Sequence, residues 1–148
     1  MGPTPSPSPN PLDPPQGAPA RPVLNPTHPI QRTECLMDWK SHLDDTSATL
    51  AEFRRTHEAA GRGFTAMHRG AMGDGSLTLR EKELIALAIG ISQRCVDCIG
   101  FHVQGAAKAG ASRDDIADVI GVATLMGGGP AYMYGVKALE AYDQLIDA

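Results

Sequence analysis

One short stretch holds four residues whose types and spacing suit thiol redox chemistry: Glu83, Cys95, Cys98 and His102. Cys95-Val96-Asp97-Cys98 is a C-x-x-C segment, and His102 follows its second cysteine by four positions. Residues four apart on a helix share a face, so His102 can accept or supply the proton of the Cys98 thiol. If the helix begins near Cys95 or Val96, Cys98 lies in its first turn. There, unpaired amides and the helix dipole favour a thiolate. Cys95, at or just before the helix start, is within reach of Cys98 for a disulfide. Gly105, Ala106 and Ala109 continue the face with small residues, so another helix or a substrate can come close.

Glu83 lies one helix earlier. At 100° per residue it shares an arc with Ala86, Leu87 and Gly90, while Arg80, Glu81 and Lys82 point elsewhere. A carboxylate among small apolar residues is expensive without a partner, and burial disfavours its charged form, which suits it to proton transfer. Glu83 is therefore expected to act as a general acid/base, reaching the cysteines directly or through water. Plainer readings stand beside this one. The cysteines can be two small buried hydrophobes, or zinc ligands with His102 and a fourth group from Cys35, His42, His57 or His68. Glu83 can be an exposed first-turn carboxylate that complements the dipole. Cys35 reads as a structural thiol, and His57 and His68 as helix-surface residues.

The elements that must position these groups read as helices. Thr78-x-x-Glu81 is a capping box that opens the strongest of them. Leu84, Ile85, Leu87, Ala88, Ile89 and Ile91 go nearly round it, which predicts a helix central to the core, ending near Ser92 or Gln93. The next helix runs to Ala109, with Gly110 as its stop. Ser112 caps a helix with the apolar stripe Ile116, Val119, Ile120 and Ala123. Gly127-Gly128-Gly129 ends it, and Pro130 suits the first turn of a last helix in which Tyr134, Ala138 and Tyr142 recur at i, i+4, i+8. That glycine run reads as a tight interhelical turn, since no Lys-Ser or Lys-Thr follows to make a phosphate cradle. Upstream, Glu34 to Leu43 is weakly helical. Thr46 or Ser47 is expected to cap a helix to about Ala60, Gly61 and Gly63 to break it, and Phe64 to Met72 to form another short piece. Gly73 to Ser76 reads as a turn. No alternating strand pattern appears, so the fold class is all-α.

Eleven of the 12 prolines lie between Pro3 and Pro29. Residues 1–30 are therefore expected to form a disordered or polyproline-like tail, and 31–148 one helical domain. A formal net charge of -4 leaves no basic footprint for nucleic acid. No uninterrupted apolar run reaches the length of a membrane span, and no signal-peptide pattern opens the chain, so the cytoplasm is the expected location. Three cysteines are too few for a secreted disulfide scaffold.

At Glu83, eleven residues, Cys95-Val96-Asp97-Cys98, three residues and His102, the sequence resembles the alkylhydroperoxidase D-like / carboxymuconolactone decarboxylase family. The following A-A-K-A-G-A-S-R-D-D-I and the ending G-G-G-P-A-Y-M-Y-G-V-K-A-L-E-A resemble its short single-domain members. The resemblance covers Leu77 to Leu145 well and Gln31 to Ser76 loosely. It implies an all-α domain of about six helices, obligate assembly as a homotrimer or homohexamer, and thiol-dependent reduction of hydroperoxides without metal or organic cofactor. By the same resemblance Cys98 is the thiol that meets the hydroperoxide or an external dithiol reductant, Cys95 resolves it into a disulfide, and Glu83 and His102 relay protons. Asp97 departs from the histidine or tyrosine common before the second cysteine, and its charge opposes thiolate formation at Cys98. Two other classes of function remain open: a non-redox acid/base enzyme using Glu83 and His102, and an oligomeric interaction protein docking through its proline-rich tail.

Overall fold

The computed structural model describes residues 37–146. The proline-rich segment, the expected domain boundary near residue 30, Leu36 and Cys35 lie outside them. Every regular element among the described residues is helical: α1 Trp39–Thr56, α2 Glu58–Met72, α3 Leu79–Ser92, α4 Val96–Lys108 and α5 Arg113–Ile146. The all-α reading holds, with five helices rather than about six. α5 is in effect two helices, since Gly128 at φ 67°, ψ -155° interrupts it ahead of Pro130. That is the break expected from Gly127-Gly128-Gly129, because an L side chain rarely adopts such a φ.

Helices α3, α4 and both limbs of α5 pack around a core of Leu87, Ile91, Ile99, Val103, Ile116, Ile120 and a set of alanines, closed at one end by Trp39. Small residues set the spacing. A Cβ on Gly135 would lie 2.5 Å from Ile120 Cγ2, so the limbs of α5 touch at that glycine. The expected box at Thr78 is present: Glu81 N–H donates to Thr78 Oγ1 at 3.3 Å, and Glu81 Oε2 accepts from Thr78 N–H at 2.6 Å. Ser112 and Asp115 make the same exchange at the start of α5. α3 differs from expectation on one side. It buries Glu83, Leu87, Gly90 and Ile91, whereas Ile85 and Ile89 stay about half exposed.

The first two helices depart further from the sequence reading. α1 runs unbroken through Thr46 and Ser47, and its N-cap is Asp38, which accepts from Ser41 N–H at 2.9 Å. A carboxylate at the cap of a helix held by buried Trp39 and Leu43 outcompetes a second start further on. α2 runs through Gly61 and Gly63. The break comes at His57 (φ -127°, ψ 70°), whose ring accepts from Ala60 N–H and so caps α2. Gly61 marks a close approach: its missing Cβ leaves room for the stem of Arg54, 2.9 Å from that position. α1 docks on α4 in the same way, with Trp39 and Leu43 against Gly100, and Trp39 N–H donates to Gln144 Oε1 at 2.9 Å.

Candidate functional site

α4 starts as its sequence requires. Cys95 is the N-cap and its Sγ accepts from Cys98 N–H at 3.3 Å, which places Cys98 in the first turn. The preceding Arg94 has φ 59°, a left-handed turn that reverses the chain between α3 and α4. Cys95 and Cys98 are joined by a disulfide, S–S 2.07 Å. Beneath it α3 comes close, because Gly90 has no side chain: a Cβ there would lie 3.2 Å from Cys98 Cβ.

Glu83 is buried, at 9% exposure, which excludes the exposed first-turn reading. Its Oε2 lies 2.7 Å from His102 Nδ1. With the carboxylate ionised, Nδ1–H donates, leaving Nε2 as the nitrogen that can exchange a proton. The small face of α4 is what admits Glu83: a Cβ on Gly105 would lie 2.6 Å from its carboxyl oxygen. The partner a buried carboxylate needs is thus a histidine one helix away, and the close neighbour expected at Gly105 is Glu83 itself.

Glu83, Cys98 and His102 line one cavity of about 510 Å³, together with Thr46, Leu50 and Arg54 of α1, Phe64 and His68 of α2, and Asp97 and Phe101 of α4. Cys95 lies beside it through the disulfide. The Asp97 carboxylate is engaged from α1. Thr46 Oγ1 donates to Asp97 Oδ1 at 3.0 Å, and His42 Nε2 lies 2.8 Å from the same oxygen, though without hydrogen-bond alignment. The charge beside Cys98 therefore has partners, and a histidine does stand near it, contributed by another helix. The sequence reading gave His42 and His68 only as alternative zinc ligands and Thr46 only as a helix cap, and it assigned no part in a site to Leu50 or Arg54. The signal available was the i, i+4, i+8, i+12 repeat of His42, Thr46, Leu50 and Arg54, which puts them along one helix face. Among the described residues, no group of three His, Cys, Asp or Glu side chains could hold a metal ion. The fourth-ligand candidate Cys35 lies outside them.

A sequence model of the carboxymuconolactone decarboxylase family matches residues 58–141. An uncharacterised protein of Cupriavidus necator is 36% identical over 108 residues, covering 73% of this chain and 96% of its own. A second, from the cox locus of Paracoccus denitrificans, is 37% identical over 99 residues, 67% of this chain and 89% of its own. Among solved structures, a carboxymuconolactone decarboxylase family protein of Legionella pneumophila superposes with a TM-score of 0.69 at 39% identity. It covers 73% of this chain and 97% of its own. A Thermotoga maritima protein of that family, for which a part in the antioxidative response has been suggested, shares the fold with a TM-score of 0.65. It is 23% identical over 72% of this chain and 91% of its own.

Proposed function

The chain belongs to the carboxymuconolactone decarboxylase family, and from that membership we propose that it is a thiol-dependent hydroperoxide reductase of the alkylhydroperoxidase D-like kind. The observation that carries the reading is the cavity on which Cys98, half of a disulfide, meets the Glu83–His102 pair. Membership alone is neutral between redox and decarboxylase chemistry, whereas a linked C-x-x-C at the cavity wall favours the redox branch. The antioxidative role suggested for the Thermotoga relative points the same way.

In the reduced protein the Cys98 thiolate attacks the distal oxygen of a hydroperoxide. The O–O bond breaks and the alkoxide leaves as the alcohol, taking its proton from His102. Cys98 is left as sulfenic acid. The Cys95 thiol then condenses with it, releasing water and forming the disulfide seen here. An external dithiol reduces that disulfide by exchange and restores both thiols. Glu83 holds the imidazole of His102 and balances its charge while the proton moves. Both electrons come from the dithiol, so the cycle needs no organic cofactor or metal.

The working form is proposed to be a cytoplasmic homo-oligomer, a trimer or hexamer. α5 presents Val122, Leu125, Met126, Tyr132 and Met133 to solvent, with Leu125 and Met126 80% exposed or more. By length and composition α5 could also cross a membrane. Its break at Gly128 and its packing against α3 and α4 favour a second copy of the chain as the cover.

The test is the intact mass of fully reduced, metal-free protein after one equivalent of cumene hydroperoxide, followed by peptide mapping. A loss of about two mass units with Cys95 linked to Cys98 is expected. Two free thiols after exposure would end the peroxidase reading. A second reading, acid/base catalysis by the Glu83–His102 pair without redox, has that buried pair in its favour. It requires that Cys98→Ser keep its activity, which the redox reading forbids.

A further inference from the structure

The cavity at Cys98 is polarised along its length. Thr46, Leu50 and Arg54 line it from α1 at i, i+4 and i+8. Thr46 touches Asp97, the residue next to Cys98, at 3.0 Å. Arg54 therefore stands two helical turns further on, about 12 Å along the axis at 1.5 Å per residue. Leu50 lies between the two on α1, and Phe64 and Phe101 add apolar wall beside the polar Thr65 and His68 of α2. At the cysteine end the carboxylates have partners, Glu83 on His102 and Asp97 on Thr46 and His42. At the far end the Arg54 side chain makes no hydrogen bond or ion pair among the described residues. The neighbouring acid, Glu58, is held by Arg62 at 2.5 Å. Arg54 also lines the adjoining groove of about 420 Å³ that carries Arg62 and Arg69. Its stem is seated by Gly61, where a Cβ would come within 3.1 Å of Arg54 Cα and Cβ.

Resting on the hydroperoxide-reductase reading, we propose that the substrates are amphipathic hydroperoxides whose apolar chain carries a carboxylate about 12 Å from the peroxide group. Arg54 anchors the carboxylate, Leu50, Phe64 and Phe101 sheathe the chain, and the peroxide lies at Cys98. A guanidinium matches a carboxylate geometrically, and a cation at the end of the cavity away from Cys98 selects for charge at that distance. Arg54 is thus a specificity residue and takes no part in O–O cleavage.

The experiment compares the 9-hydroperoxide of linoleic acid with its methyl ester, using dithiothreitol as reductant and cumene hydroperoxide as reference. The wild-type protein should prefer the acid over the ester by about five- to tenfold in kcat/KM, the scale of a partly exposed charged pair. That preference should shrink at high salt, which screens an exposed charge. Arg54→Ala should bring the ratio close to one by raising KM for the acid, and Arg54→Lys should keep most of it. Equal use of acid and ester by the wild type, or a preference that survives in Arg54→Ala, would overturn the proposal while leaving the reductase reading intact. Failure of all three hydroperoxides to oxidise the thiols would overturn the reductase reading, and this inference with it.

Discussion

Glu83, His102 and Gly105 form a unit in which each residue explains another. Glu83 is buried because Gly105 leaves room for its carboxyl group, and it stays buried because His102 bonds it at 2.7 Å. Glu83→Gln keeps the shape and a hydrogen-bonding group but removes the charge that would balance a protonated His102. Hydroperoxide turnover in that variant should fall about 100-fold, the lower end of what a positioned acid/base contributes, with the fold intact by circular dichroism. Gly105→Ala puts a methyl group 2.6 Å from the carboxyl oxygen. It should lower stability by about 1–3 kcal/mol in urea unfolding and reduce turnover too, because relief of the clash moves Glu83 off His102. A variant that unfolds early yet turns over normally would show that the pair is structural. The spacing of Glu83, Cys95, Cys98 and His102 marked these residues as one group in one dimension. The visitor to the small face of α4 did not show in the spacing, since that depends on how α3 lies against α4.

Among the elements, α3 and α5 are tied by charge at their N-termini. Asp115 accepts from Ser112 at the start of α5 and from Arg80 of α3 at 2.5 Å. The Arg80 guanidinium, with Ser112, lowers its carboxyl from 3.8 to about 2. A depressed carboxylate stabilises the fold above its unfolded value and loses that contribution as the pH falls through its folded one. Asp143, lowered by Arg113, and Glu81, lowered by Thr78, act in the same direction. The melting temperature should therefore hold above about pH 4 and fall between about pH 4 and 2, and Asp115→Asn should flatten part of that fall. A melting temperature just as acid-sensitive in Asp115→Asn would remove the tie from the account. Helix starts with strong local chemistry, at Thr78 and Ser112, were readable in advance. Those of α1 and α2 were misread, because Thr46, Ser47, Gly61 and Gly63 look like punctuation locally. Burial of Trp39 and Leu43, and the seat of Arg54 on Gly61, override that local preference.

For the molecule as a whole, the exposed apolar face is the chief unresolved demand. Large side chains on α5, with Ile85 and Ile89 on α3 and Met67 on α2, remain in water in the single chain. Scattered apolar residues are ordinary on a surface, whereas a run on one helix that includes two residues at least 80% exposed marks an interaction site. Leu125→Glu should therefore convert the assembly to a smaller species in analytical ultracentrifugation and leave the helical content unchanged. A wild-type protein that sediments as a monomer would end the proposal of assembly.

Local order along the chain was enough to mark the all-α class, the α3–α4 pair, the break at Gly128 and the grouping of Glu83, Cys95, Cys98 and His102. Each of these rests on neighbours within about one helical turn, where capping, backbone conformation and side-chain spacing act. The histidine on Glu83, the partners of Asp97, the half-exposed flank of α3 and the cavity shared by Cys98 and Arg54 all depend on contacts between helices distant in sequence. They come from close packing, which settles the angle and depth at which α1 and α3 meet α4, and no local pattern carries that information.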